Sequence, residues 1–153
     1  MMQDIENTKS CLDRLLANSY VTLMLTQHVH WNATGETFFS IHKMTQAQYE
    51  ELQVAVDDIA EHIRAHGNNA PSGMQVYQAL STIEVKPEAV TSIDGHLNHL
   101  IEAHLEVKAT LALLIKLSVQ EGDSATEDLA IDRLREHDKV LWMLKASLKD
   151  EAA

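Results

Sequence analysis

The chain of 153 residues contains one cysteine, two prolines and five glycines. With Cys11 as its only cysteine, the chain cannot form an internal disulfide, which fits a reducing cytoplasm. No apolar run reaches the ~18 residues that a bilayer-spanning helix needs. The first ten residues lack the basic and apolar segments of a signal peptide. We therefore expect a cytoplasmic protein with no membrane partner.

Positive charge is scarce. Twelve lysines and arginines stand against 23 aspartates and glutamates, so the formal net charge is -11. Such a chain repels a phosphate backbone unless its cations cluster. The terminal stretch MMQDIENTKS is no lysine-rich tail. The charge therefore argues against nucleic acid and favours metal cations as partners.

Several motifs of catalysis and nucleotide binding are also missing. The sequence has no G-x-S-x-G, no P-loop and no G-x-G-x-x-G, which excludes the common hydrolase and nucleotide-binding sites. Cys11 has no neighbouring histidine to activate it. Histidines, aspartates and glutamates remain as candidates for chemistry, and on the helices of a bundle these residue types indicate metal binding.

The apolar residues follow helical spacing, and no segment alternates long enough for a strand. The breaks at glycine and proline predict five helices, over residues 4–32, 36–66, 74–80, 92–121 and 125–149. The four long ones predict an all-α four-helix bundle, with a short extra helix in the crossover between long helices 2 and 3. We expect residues 1–153 to form a single domain.

Two histidines lie on apolar helix faces on either side of a glycine turn. They are His30 and His42 in the stretch QHVHWNATGETFFSIH, with Gly35 between them. Each is either a satisfied core residue or a metal ligand. The turn would bring the two helices, and so the two rings, side by side.

A pair of carboxylates follows on the second helix. Asp57 and Glu61 are four residues apart and share a face, as a chelating pair or as part of a solvated stripe. His42 and Asp57 lie roughly 22 Å apart along one helix at ~1.5 Å per residue. They can join one site only if two subunits pair their second helices in antiparallel fashion about a two-fold axis.

Other candidates have weaker support. They are the pairs His62 with His66 and His96 with His99, and the acids Asp123, Asp128 and Asp132. The first pair also suits a helix C-terminus, and the acids also suit a helix N-terminus. Around a symmetry axis of an oligomer the same acids would form a ring that attracts cations.

The stretches HVHWNATGETFFSIHKM and VDDIAEHIRAHG together resemble the signature of the Dps miniferritins of the ferritin-like superfamily. DKVLWML resembles that family's last helix. The resemblance extends over nearly the whole chain. Its matching positions are His30, Trp31, Asn32, Gly35, Phe38 or Phe39, His42, Asp57 and Glu61.

The resemblance implies a hollow dodecamer that oxidises Fe(II), preferentially with hydrogen peroxide, and stores ferric mineral, which protects the cell from oxidative damage. It implies ferroxidase centres in which His30 and His42 of one subunit face Asp57 and Glu61 of another, with Trp31 beside them. It also implies pores for iron, lined by the acidic stretch with Asp123, Asp128 and Asp132.

Two departures from the family pattern bear on function. Many members have an aspartate four residues after the second histidine, where this chain has Gln46. A neutral amide is a poorer ligand, so the second iron position is weakened, and His28 and His62 are candidate replacements. Zinc is a candidate competitor for iron. Without a lysine-rich tail we expect weak or absent DNA binding, and the alternative is a nucleoid protein with weak or altered ferroxidase activity.

Overall fold

The computed structural model describes residue 5, residues 7–86 and residues 92–149. These parts of the chain form five α-helices and no strand, which confirms the all-α prediction. The helices are α1 (Thr8–Asn32), α2 (Phe38–Ala65), α3 (Met74–Leu80), α4 (Ile93–Glu121) and α5 (Ser124–Ala146). The four long helices pack as a bundle, and α3 lies in the connection between α2 and α4 as predicted.

Helix boundaries follow capping residues. The short helix α3 has its predicted bounds, and α1 and α4 end at the predicted residues. The predicted start at Asp4 lies outside the described residues; the described α1 follows Asn7, whose side chain accepts a hydrogen bond from the backbone of Ser10 at 2.9 Å. Ser92 caps α4 by accepting from the Gly95 backbone at 3.0 Å.

Two boundaries differ from prediction by more than one residue. Helix α2 begins two residues later, because the turn at Gly35 continues to Phe38, whose N–H donates to the Gly35 carbonyl at 3.1 Å. Helix α5 ends at Ala146 rather than Lys149. There the Ser147 N–H is shared between carbonyls of the last turn, and this closes the helix.

The long helices run antiparallel to their neighbours. Helix α1 meets α4 at one end through Thr8, whose hydroxyl donates to Glu121 at 2.6 Å, and at the other end through His28 and His96. The same reversal relates α2 to α5. Its contacts are Met44 with Ser147, Glu51 with Arg133 and His62 with Thr126.

Two clusters of buried leucine, isoleucine and valine side chains fill the interior of the bundle. Each fully buried leucine of this kind contributes about 1.5–3 kcal/mol. Leu15, Leu16, Leu111 and Leu114 are completely excluded from solvent. The helical spacing of these residues is therefore explained by burial, which leaves the polar interior residues as the informative exceptions.

The crossover is tied to the bundle by one buried amide. Asn18 on α1 accepts hydrogen bonds from the Ser81 hydroxyl at 2.8 Å and the Thr82 backbone at 2.9 Å. It also donates to the Thr110 hydroxyl on α4 at 3.1 Å. Tyr77 of α3 stacks on Tyr20 with ring centroids 4.6 Å apart. The connection is thus fixed against α1.

Within the described ranges, no helix combines the length and the apolar character required to cross a bilayer.

Candidate metal centre

His30 and His42 are brought together at the end of the bundle where α1 turns into α2. Their rings stack with centroids 3.8 Å apart and planes 14° from parallel. Nδ1 of His30 lies 2.8 Å from the carbonyl of His42, and Nδ1 of His42 lies 2.8 Å from the carbonyl of His30. The two residues therefore hold one another through a reciprocal pair of hydrogen bonds.

This reciprocity fixes the tautomer of both rings. A carbonyl oxygen only accepts, so each Nδ1 must carry a hydrogen, and in the neutral ring each Nε2 then carries the lone pair. Histidines that ligate metals commonly donate their second ring N–H to a backbone carbonyl in this manner. Two neutral imidazoles with available Nε2 lone pairs are suited to a divalent transition metal.

The local sequence explains the placement. Gly35 adopts φ +107, a conformation that side-chain-bearing residues rarely take, and so allows α2 to fold back beside α1. The Thr45 hydroxyl lies 3.4 Å from His30 Nδ1, and the Tyr49 ring meets His30 edge-on at 5.1 Å. His30 is buried at 7% exposure, while Trp31 is 68% exposed at the rim of the pair.

Asp57 and Glu61 lie further along α2, on its exposed face. Asp57 lines an open groove together with Tyr20, Glu50 and Tyr77. The structure does not bring either carboxylate to the histidine pair of its own chain. Across the described residues, no three histidine, cysteine or acidic side chains gather in a way that could hold a metal ion.

Gln46 lies one helical turn after His42, on the same side of α2. Its amide donates to the Glu50 carboxylate at 2.9 Å on the exposed face. The three residues are spaced four apart, so they follow one another along the helix surface. Gln46 is thus held toward Glu50, and its nitrogen is already engaged.

The two candidate replacement ligands face other parts of the molecule. His28 lies against α4, with its ring edge-on to His96 at 5.5 Å and its Nδ1 3.3 Å from the Asn32 amide. His62 turns toward α5, where its Nε2 lies 2.7 Å from the Thr126 hydroxyl. Neither side chain is directed at the stacked pair, although His62 directly follows Glu61.

A polar cluster around Asp123 joins the end of α2 to the start of α5. Asp123 caps α5 by accepting from the Thr126 backbone at 3.0 Å and from its hydroxyl at 2.5 Å, and His66 Nε2 lies 3.1 Å away. Since Thr126 donates to Asp123, it accepts from His62 Nε2–H. Burial and the neighbouring His66 lower the pKa of His62, against the opposing effect of Asp123.

The acidic stretch therefore divides into a capping residue and exposed acids. Burial acts to raise the pKa of Asp123, but its bonds to Thr126, together with the nearby His66 and His62, outweigh that effect and leave the pKa below the usual value. Asp128 and Asp132 are exposed and line a groove between α2 and α5, where Asp132 accepts from Arg135 at 2.9 Å. Capping explains Asp123 without requiring a pore.

One buried pair of histidines was not predicted from the sequence. His104 and His137 are both 1% exposed, and their Nδ1 atoms lie 2.7 Å apart inside the bundle. Arg133 joins them to Glu51 of α2. The available signal was their position on the apolar faces of α4 and α5, three or four residues from buried leucines. That signal does not reveal that the two meet, because they are 33 residues apart.

Known proteins share this architecture. A profile of the ferritin-like domain matches residues 10–152. The DNA protection during starvation protein of Helicobacter pylori is 31% identical over 143 residues, which span 92% of this chain and 98% of that protein. The corresponding Agrobacterium fabrum protein is 28% identical, over 95% of this chain and 93% of its own.

Solved structures agree. The X-ray structure of Dps from Listeria monocytogenes superposes with a TM-score of 0.89 at 26% identity, covering 94% of each chain. The Dps protein of Vibrio cholerae O1 superposes with a TM-score of 0.87 at 28% identity, over 93% of this chain and 89% of that one. That protein is described as a member of a broad superfamily of ferritin-like diiron-carboxylate proteins.

Proposed function

The chain belongs to the Dps branch of the ferritin-like family, and from that premise we propose that it is a ferroxidase and iron store. It takes Fe(II) as substrate, oxidises it preferentially with hydrogen peroxide and retains the ferric product inside a hollow dodecamer. By consuming both reactants it limits hydroxyl-radical formation. We place it in the cytoplasm and infer that residues 1–153 form one ferritin-like domain.

The observation that carries this proposal is the locked pair His30 and His42. Each ring donates through Nδ1 to the other residue's carbonyl at 2.8 Å, which leaves Nε2 as a metal donor without further rearrangement. A core role needs neither the reciprocal bonds nor the stacked geometry. The half-buried setting also places the pair where a second subunit can cover it.

The second half of the centre comes from a partner subunit. Asp57 and Glu61 are exposed on α2, too far along the helix to meet the histidines of their own chain. An antiparallel pairing of two α2 helices about a two-fold axis brings each carboxylate pair to the other subunit's histidines. Hard carboxylate oxygens with neutral imidazoles suit Fe(II), and zinc can compete for the same ligands. Trp31, exposed beside His30, then lies at the covered centre.

Two Fe(II) ions are oxidised for each molecule of hydrogen peroxide. Each Fe(II) gives up one electron, the O–O bond breaks, and both oxygens end at the oxidation level of water. Protons from water bound to ferric ion are released as the mineral forms. The protein residues bind, orient and neutralise charge, while the electrons pass from the metal substrate to the oxidant.

Gln46 makes the two iron positions unequal. Its amide is held by Glu50 and offers a weaker ligand than a carboxylate. His28 and His62 are directed toward α4 and α5, so neither replaces it without moving. We therefore propose one strong and one weak Fe(II) position per centre. We assign access of iron to Asp128 and Asp132, with Asp123 contributing mainly as a helix cap.

The test is anaerobic Fe(II) titration followed by one addition of peroxide. Wild-type protein should show saturable binding and rapid oxidation, and the His30→Ala/His42→Ala variant should lose both. His99→Gln is the matched control, because His99 donates to the Glu84 carbonyl away from the pair. Unchanged kinetics in the double variant would contradict the assignment of the site to these two histidines. A monomer in size-exclusion chromatography would contradict the proposed dodecameric shell.

A further inference from the structure

A chain of polar side chains crosses the interior of the bundle. It begins at Glu51 on α2, whose carboxylate accepts from Arg133 Nη2 at 3.2 Å. The same Nη2 lies 3.4 Å from His137 Nε2, and His137 Nδ1 lies 2.7 Å from His104 Nδ1 on α4. The chain thus leads from a partly exposed carboxylate to a histidine with 1% exposure.

Arg133 determines where the protons lie. A guanidinium only donates, so His137 Nε2 must carry a lone pair and His137 Nδ1 the hydrogen. His104 Nδ1 then accepts from His137, and the hydrogen of neutral His104 resides on Nε2. Both rings are neutral, since burial, followed by the nearby Arg133, lowers the pKa of His104 to about 3. Burial, His104, Arg133 and Lys108 hold the pKa of His137 well below its usual value.

This series of hydrogen-bonded side chains ends in a buried N–H donor, that of His104. Among the described residues, nothing accepts a hydrogen bond from His104 Nε2. A buried N–H of this kind destabilises the folded protein when it stays unsatisfied. Gln48 on α2 is 5% exposed, and both its amide nitrogen and its amide oxygen likewise lack a partner within the described parts of the chain.

The helix register places these groups at one level of the bundle. Contacts of α2 with α5 join Met44 to Ser147 and Glu51 to Arg133, so the α2 residue between them, Gln48, lies level with the α5 segment that contains His137. His137 is hydrogen-bonded to His104 on α4, the helix that lies diagonally across the bundle from α2. Helix register thus assigns the orphaned atoms of His104 and Gln48 to one buried layer.

We propose that this layer is a binding site for internal water. Water is the small neutral molecule that can accept from His104 Nε2–H and also both donate to and accept from the Gln48 amide. A metal ion does not suit the site, because His104 presents a hydrogen there and Arg133 is cationic. The charged groups around it are already paired, Arg133 with Glu51 and Lys108 with Asp138, so no net charge calls for an ionic ligand.

The test is joint X-ray and neutron diffraction on the assembled wild-type protein. The expected result is a water oxygen within about 3.2 Å of His104 Nε2, with a deuteron on that nitrogen and one on His137 Nδ1. A deuteron on His104 Nδ1 would overturn the proton assignment. A direct bond between the Gln48 carbonyl and His104, with no solvent peak, would overturn the water site.

A matched pair of variants separates the site from general hydration. Gln48→Leu removes the amide at similar volume and should lose the solvent peak at His104. Gln53→Leu changes an exposed residue of the same helix and should retain it. Retention of the peak in Gln48→Leu would show that Gln48 does not line the site. If Gln48→Leu fails to fold, the wild-type diffraction decides alone.

Discussion

The ring of His30 lies 3.8 Å from the ring of His42, and each donates from Nδ1 to the backbone carbonyl of the other. The orientation of both candidate ligand rings therefore depends on the positions of these two backbone carbonyls. Any change that shifts α2 relative to α1 breaks both bonds together. The turn between the helices is therefore as important to the proposed centre as the histidines themselves.

Gly35→Ala tests the turn. Gly35 has φ +107 and open space where a Cβ would lie, so the substitution adds backbone strain without a clash. We expect a loss of about 1–3 kcal/mol in unfolding free energy and weaker Fe(II) binding at the histidine pair, measured by denaturation and anaerobic titration. Gly67→Ala is the control, since Gly67 has φ +81 and equally open surroundings. It should lose comparable stability and keep Fe(II) affinity. Equal losses of affinity in both would refute a specific role for the turn.

Subunit complementation tests the split centre. The variants His30→Ala/His42→Ala and Asp57→Asn/Glu61→Gln should each be inactive alone. Co-assembled in equal amounts, they should recover about a quarter of wild-type oxidation. Half the two-fold pairs are then mixed, and one of the two centres in each mixed pair is intact. Peroxide-dependent Fe(II) oxidation, followed by absorbance, measures this. No recovery in verified mixed assemblies would place all ligands in one chain.

Gln46→Asp tests the unequal iron positions. A carboxylate in place of the amide supplies a charged oxygen ligand and removes the bond from Gln46 to Glu50. We expect the second Fe(II) to bind at least about tenfold more tightly, equivalent to about 1.4 kcal/mol, in anaerobic titration. Gln75→Asp on exposed α3 adds the same charge elsewhere and should leave the second position unchanged. A similar gain in both variants would reduce the effect to net charge.

The buried pair His104 and His137 predicts acid sensitivity. Both have lowered pKa values when folded, so below pH 6.5 the unfolded chain binds more protons than the native one. The contribution of the two neutral histidines to the unfolding free energy should be fully present above that pH. Below that pH it should fall by up to about 1.4 kcal/mol per pH unit for each histidine, in the case of His104 down to about pH 3. Urea unfolding at several pH values, with the assembly state checked at each, measures the slope.

The variant His104→Gln/His137→Gln should flatten that slope. His62 and His96 also have lowered pKa values and contribute in the same direction, with burial the main cause in each. An unchanged slope in the double variant would assign the acid sensitivity to those residues instead.

Local patterns in the sequence predicted most of the fold. Apolar spacing and caps predicted α3 and the ends of α1 and α4, because these depend on neighbouring residues. The approach of His30 to His42 was likewise predicted, since one glycine turn joins them. Contacts between distant segments were not, among them the bond between His104 and His137 and the turn of His62 toward Thr126. These depend on helix register and on the direction of side chains in the packed bundle, and neither is encoded locally.

DNA binding is predicted to be absent at physiological salt. The formal net charge is -11 per chain, and two of its exposed cations are engaged by acids, Lys108 by Asp138 and Arg135 by Asp132. The net negative charge repels a phosphate backbone and opposes the counterion release that drives DNA binding. Gel retardation at about 50 and about 200 mM salt should show no shift for the wild type. Asp132→Asn/Asp138→Asn frees both cations and should shift DNA at the lower salt if pairing is what prevents binding. A wild-type shift that salt abolishes would instead favour the nucleoid alternative, in which DNA protection accompanies a ferroxidase centre altered at Gln46.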